Sequence, residues 1–148
     1  MKNTTTKLEQ LVHQGVEFLS KATVLDLTTK SSPEKWSKKE ILGHLIDSGV
    51  NNLQRFTEIQ FENKPFKIVS YNQDELVKAN DYQNADIMEL LVFWKAINNR
   101  IKIIMEKQTS ETLAYPILLG NEEVKDLEFL MKDYVVHLEH HLHQIIDK

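Results

Sequence analysis

Long stretches without helix breakers constrain this chain more than any other feature. Its 148 residues hold only four glycines and three prolines, and between them apolar residues recur every three or four positions, the period of one helical face. The first stretch covers about residues 4–22, where Leu8, Leu11, Val12, Gly15, Val16 and Leu19 form the stripe and His13 lies opposite. The second covers about 37–62. Ser37 followed by Glu40 reads as a capping box at its start, Trp36 is placed to staple onto Ile41, and Ile41, Leu45, Ser48, Asn52, Phe56 and Ile59 share one face. The third covers about 84–108, with Ile87, Leu90, Leu91, Trp94, Ile101 and Met105 inward, and the fourth runs from about 124 to the C-terminus.

Between these stretches lie connectors. Leu25 to Pro33 reads as an irregular link. Residues 63–83 begin with Pro65 ending the second helix, and Gln73 to Ala79 within them is long enough for a helical turn. Pro116 and Gly120-Asn121 mark another break, where the apolar run Tyr115 to Leu119 is expected to pack on the helices. No two-residue turn separates alternating apolar runs, so no hairpin is expected. Four long helices in one domain of residues 1–148 predict an all-α four-helix bundle, and the long second connector leaves room for a crossover instead of up-down-up-down order.

Composition narrows the function classes. A formal net charge of −4 argues against nucleic acid as a partner. With no cysteine, disulfides, thiolate ligands and cysteine nucleophiles are excluded. The first residues do not read as a signal peptide, and no run approaches the ~20 apolar residues of a membrane helix. The expectation is a cytoplasmic protein without membrane or nucleic-acid partners. No Gly-x-Ser-x-Gly stands out, so covalent catalysis has no support.

Of the six histidines, four crowd into residues 137–143. At roughly 100° per residue, His141 lies about 40° from His137, His140 about 60° to the other side and His143 about 120° away. Leu127, Leu130, Tyr134 and Ile145 share the face of His137 and His141, which must therefore point inward. Two inward imidazoles need hydrogen-bond partners or a cation, and the spacing alone leaves both open. Glu139 lies about 200° from His137 and cannot serve as the base of an HExxH-type site. His13 and His143 fall on solvated faces and His140 at the border. His44 sits two turns inside the second helix. If the second and fourth helices are antiparallel, it meets His137 and His141 at one end of the bundle. Three such imidazoles suit Zn²⁺, Ni²⁺ or Fe²⁺ with positions left open. Asp47, one turn after His44, is placed to orient an imidazole N–H or a water. Ser48, Asn52 and Asn98 interrupt otherwise apolar stripes.

The segment Trp36-Ser-Lys-Lys-Glu-Ile-Leu-Gly-His44-Leu-Ile-Asp47-Ser48 resembles the second-helix signature of the DinB/YfiT-like superfamily. Tyr134-Val-Val-His137-Leu-Glu-His140-His141-Leu-His143-Gln144-Ile145 is similar to its closing motif, H-x-x-x-H followed by Q-I. Asn51, Arg55, Phe56 and the Tyr71 to Tyr82 segment fit as well, and the resemblance covers about residues 5–147. It implies a four-helix bundle with crossed connectivity, a divalent-metal site of His44, His137 and His141, and a possible homodimer. It also implies chemistry on small molecules. The leading expectation is a metal-dependent S-transferase that uses a low-molecular-weight thiol such as bacillithiol, which fits a chain without its own sulfur nucleophile. The alternatives are a metal-dependent small-molecule hydrolase and a non-enzymatic metal- or ligand-binding stress protein.

Overall fold

The computed structural model of the chain describes residues 1–147. Its elements are α1 (Lys2–Lys21), α2 (Val24–Thr28), α3 (Lys38–Glu58), β1 (Phe66–Lys67), α4 (Gln73–Ala79), α5 (Ile87–Glu106), α6 (Ser110–Leu113), β2 (Pro116–Leu118), β3 (Val124–Asp126) and α7 (Leu127–Ile146). A 3₁₀ turn at Tyr82–Asn84 precedes α5. The four long helices are those the periodicity predicts, each ending a few residues inside its expected limits except at the start of α1.

The start of α3 is fixed by its own side chains. Ser37 Oγ accepts from the Glu40 backbone N–H, and the Glu40 carboxylate accepts from the Ser37 N–H at 2.9 Å. Such a cap contributes about 1 kcal/mol. Ser37 Oγ–H also donates to Gln83 Oε1 at 2.6 Å, and Gln83 Nε2 donates to the Thr28 carbonyl. Ion pairs Lys38–Asp26 and Lys30–Glu40 tie the same turn to the preceding connector. The first turns of α3 are therefore held from several directions before any core packing is considered.

The bundle is assembled with crossed connectivity. α1 packs on α5 and α7, and α3 packs on the same two, so α1 and α3 lie diagonally opposite. Gly15 of α1 sits beside Trp94 and Leu142, while Lys7 pairs with Glu139 and Glu9 with Lys102. α1 thus runs parallel to α7 and antiparallel to α5. Lys39 bonds to the Ala85 carbonyl and Gly49 faces Ile97, so α3 and α5 are parallel neighbours. The segment between them must return along the bundle, which is why the second connector is long.

Two expectations need correction. Leu25 to Leu27 belongs to α2, whose Thr23 cap accepts from the Asp26 N–H; one helical turn is too short to give a periodic signal. A small sheet also exists. β2 and β3 are antiparallel, and β1 adds in parallel to β2. The hairpin was not expected because its turn is not a two-residue one: Glu122 adopts φ 65°, and Asn121 Oδ1 accepts from the Glu123 N–H. Each strand is too short to show alternation. Ile117 is fully buried, in keeping with the expected packing of the Tyr115 to Leu119 run.

The core centres on Trp94, Phe56, Leu42, Ile46 and Met105, all without solvent exposure. Two glycines permit its closest approaches. A Cβ on Gly15 would lie 2.7 Å from the Trp94 ring, and one on Gly43 would lie 2.1 Å from that of Tyr82. Neither ring has a flexible end to move aside. Gly43→Ala is accordingly expected to destabilise the fold by about 1–3 kcal/mol through overpacking, read as a lower thermal midpoint with an altered tyrosine near-UV signal. A variant as stable as the parent would remove Tyr82 from this face.

Candidate metal centre

Antiparallel packing of α3 on α7 brings the three histidines together. His44 Nε2 and His137 Nε2 are 3.2 Å apart. The rings of His44 and His141, and of His137 and His141, have centroids 4.5 Å apart. All three pairs meet at 72–73°, so the rings surround a common point rather than stack. One ring nitrogen from each lies within 4.8 Å of the others, a set able to hold a metal ion. Two nitrogens at about 2.0–2.1 Å from one tetrahedral ion are about 3.3–3.4 Å apart, close to the observed Nε2 pair. The donor set fits a borderline divalent cation.

Burial sets the charge state. His44 has no solvent exposure, and its imidazole is pulled down to about 3 by loss of hydration first and by the neighbouring histidines second. His137 is pulled down to about 4 for the same leading reason. His141 is lowered by burial, against the opposing hydrogen bond from Gln144. All three are neutral at pH 7, the form in which imidazole carries a free lone pair.

Second contacts orient these rings. His141 Nδ1 lies 2.9 Å from Gln144 Oε1, so with Nδ1–H donating, Nε2 is left as the lone-pair atom. Trp36 stacks on His44 at 4.9 Å between centroids and lies 6.5 Å from His141. Its place is thus over the histidines, beside Ile41, and not simply as a staple at the helix start. Asp47 departs from expectation too. Its Oδ1 accepts from Tyr82 O–H at 2.6 Å and from Asn80 Nδ2 at 3.0 Å, and no imidazole bonds to it. Burial pushes the Asp47 carboxyl up, while these two donors hold it down. His44 Nδ1 and Asp47 Oδ2 are both buried without a hydrogen bond.

The remaining histidines, His13, His140 and His143, are exposed; His140 lies 5.1 Å from the His141 ring between centroids, with its Nε2 3.2 Å from Gln144 Nε2. The polar interruptions of the stripes are bonded within the bundle. Asn52 donates to the Ser48 carbonyl, Asn98 donates to the Trp94 carbonyl, and Asn98 Oδ1 accepts from Tyr134 O–H at 2.7 Å.

Two cavities reach the cluster. His137 lines one of about 130 Å³ together with Ser48, Asn52, Arg55, Tyr71 and Asp133. His141 lines another of about 300 Å³ with Trp36, Gln73, Asp74 and Gln144. Asp133 was not singled out from the sequence, although its position one turn before His137 is the signal that would have found it. Gln144 figured only within a motif; its spacing of three from His141 places its amide beside that ring. No helix among the described residues is long and apolar enough to cross a membrane.

Comparisons with known proteins bear on this arrangement. YfiT from Bacillus subtilis, described as a probable metal-dependent hydrolase with an unusual four-helix bundle topology, matches with a TM-score of 0.88 at 22% identity, over 99% of this chain and 83% of that one. A mycothiol-dependent maleylpyruvate isomerase matches with a TM-score of 0.66 at 11% identity, over 93% of this chain and 59% of that one. A mutant of that isomerase gives the same TM-score at 10% identity. At these identities the likeness is one of fold. No curated protein matches. The family model of the DinB superfamily matches residues 7–145, and the chain belongs to that superfamily.

Proposed function

We propose that the chain holds a divalent ion (Zn²⁺, Ni²⁺ or Fe²⁺) through His44, His137 and His141. We further propose that it acts in the cytoplasm as a thiol S-transferase on small electrophiles, with a low-molecular-weight thiol such as bacillithiol. The observation that carries this reading is the position of the cluster between two cavities, His137 in the wall of one and His141 in the wall of the other. A bimolecular transfer needs two ligands to converge on one point, whereas hydrolysis needs only one besides water.

A bound cation of this kind supplies one thing, a lowered pKa for a coordinated thiol or water. The chain's residues do the rest. Gln144 fixes the His141 ring through Nδ1. Trp36 covers the His44 face and keeps water from it. In the reaction, a sulfur–carbon bond forms to the electrophile, the bond to its leaving group breaks, and the thiol proton passes to solvent. Hydrolysis is the second reading. It is favoured by the description of YfiT and by Asp133, a carboxylate in the same cavity wall as His137.

Three measurements test these statements. Titration with Ni²⁺ should quench Trp36 emission, since Trp94 is sealed in the core, and His44→Ala should abolish both the quenching and bound metal; unchanged metal stoichiometry in that variant would defeat the three-histidine site. Purified protein loaded with Zn²⁺ or Ni²⁺ should conjugate a thiol to monochlorobimane with release of chloride. Failure with every thiol, alongside metal-dependent ester or amide cleavage, would select hydrolysis. The third concerns pH. In the metal-free protein the folded-state values of His44 and His137, about 3 and about 4, lie below the unfolded value of 6.5. The unfolded chain therefore binds more protons, and the stability due to neutral histidines is complete above pH 6.5 and lost as pH falls toward 4. Thermal midpoints should decline over that window, and less steeply in His44→Ala.

A further inference from the structure

Arg55 stands three turns beyond His44 on α3, with Ser48 and Asn52 between them. Its side chain returns into the cavity that His137 lines. The guanidinium is held in place by uncharged groups. Nη2 donates to the Val69 carbonyl, Nη1 reaches Asn52 Oδ1 at 3.5 Å, and the Tyr71 ring lies 5.4 Å from the guanidinium carbon. No carboxylate pairs with it among the described residues. Burial lowers its affinity for the proton, with Tyr71 opposing, yet an arginine stays charged at neutral pH. A half-buried, pre-positioned cation with donors left over is an arrangement suited to an anion. The Tyr71 hydroxyl makes no hydrogen bond among the described residues and lines the same space, as does Ser48.

Asp133 forms part of the opposite wall and makes no ion pair with Arg55. Its charge opposes a dianion more than a monoanion, and the volume of about 130 Å³ admits a small planar group. We propose that this cavity binds one carboxylate of a reacting small molecule, with Arg55 as its cation and Tyr71 and Ser48 as further donors. The rest of the molecule then points at the histidine cluster. The substrate class is accordingly a molecule that presents one carboxylate to this cavity and has its reacting atom several bonds from it. This deepens the transferase reading and rests on it only for the reacting end of the ligand.

The chain contains just two arginines, Arg55 and Arg100, so the two side-chain Nε–H signals of ¹⁵N-labelled protein report one site and one internal control. Titration with N-acetylglycine should shift the Arg55 signal and leave that of Arg100 in place. Neutral N-acetylglycinamide should shift neither. Arg55→Gln should weaken binding about tenfold or more, the scale of a charge-assisted hydrogen bond. Asp133→Asn, at an exposed position, should tighten it about twofold to fivefold by removing a like charge. The His44→Ala variant should bind the probe as the parent does, so loss of the metal reading and loss of this one are separable. An Arg55 signal that stays put, or that moves equally with the neutral probe or with Arg100, would overturn the proposal, as would tighter binding of inorganic phosphate than of N-acetylglycine. The source of the carboxylate is read from conjugation to monochlorobimane with N-acetylcysteine and with N-acetylcysteamine. A lower KM for the former assigns the carboxylate to the thiol. Equal KM values with the Arg55 shift intact assign it to the electrophile, and both results uphold the site.

Discussion

An imidazole removed from water must find partners for its nitrogens or remain a neutral group with an unused lone pair. Here one is fully buried and two are partly buried beside it at the seam between α3 and α7. They face one another, so neither a proton nor a local hydrogen bond satisfies them all: protonating His44 or His137 is disfavoured first by burial and then by the neighbouring rings. This shared desolvation is the constraint around which the rest of the site is arranged. A divalent cation held by the three rings would relieve it at once.

Keeping these rings at one level requires that α3 not slide or rotate. A helix whose first turn was free would lose register by fractions of a turn, and one residue of slip turns a side chain by roughly 100°. Ser37, Glu40, Gln83, Lys38 and Asp26 fix that first turn, and Gly43 lets the Tyr82 ring close directly on the helix surface. Tyr82 in turn holds Asp47. The turn ahead of α5 therefore acts on the site at a distance: it locks the helix on which His44 stands and draws the Asp47 carboxylate away from the imidazole. Asp47 is better understood as part of that lock than as a partner of His44.

The four long helices were legible because each is long enough to repeat its apolar period several times and carries a recognisable cap or break. The inward direction of His137 and His141 was legible for the same reason, since they share a face with Leu127, Leu130, Tyr134 and Ile145. What the residues alone left open was the meeting with His44, which depends on the direction and adjacency of two helices far apart in the chain. The crossing order likewise arises from which helices become neighbours and in which direction, which no local period encodes. α2 and the small sheet escaped because one turn and three-residue strands give no repeat. Local geometry places Trp36 on Ile41; its ring also meets His44 within the same segment, and its approach to His141 depends on the packing of α7.

The polar residues along the α3 face make sense when read together. Ser48, Asn52 and Arg55 follow His44 at helical spacing on a surface that otherwise buries Leu45, Phe56 and Ile59. Asn52 satisfies part of its need on the Ser48 carbonyl one turn back, which explains how it is tolerated but not why the face is polar there. Apolar side chains of similar volume would pack at least as stably. Their presence coincides with the cavity that opens beside His137. Polar side chains and open space thus fall together at the helix pair that carries the histidines. A fold shared with proteins at 22% and 11% identity can persist while this polar face varies, because the fold by itself does not set the chemistry of the site.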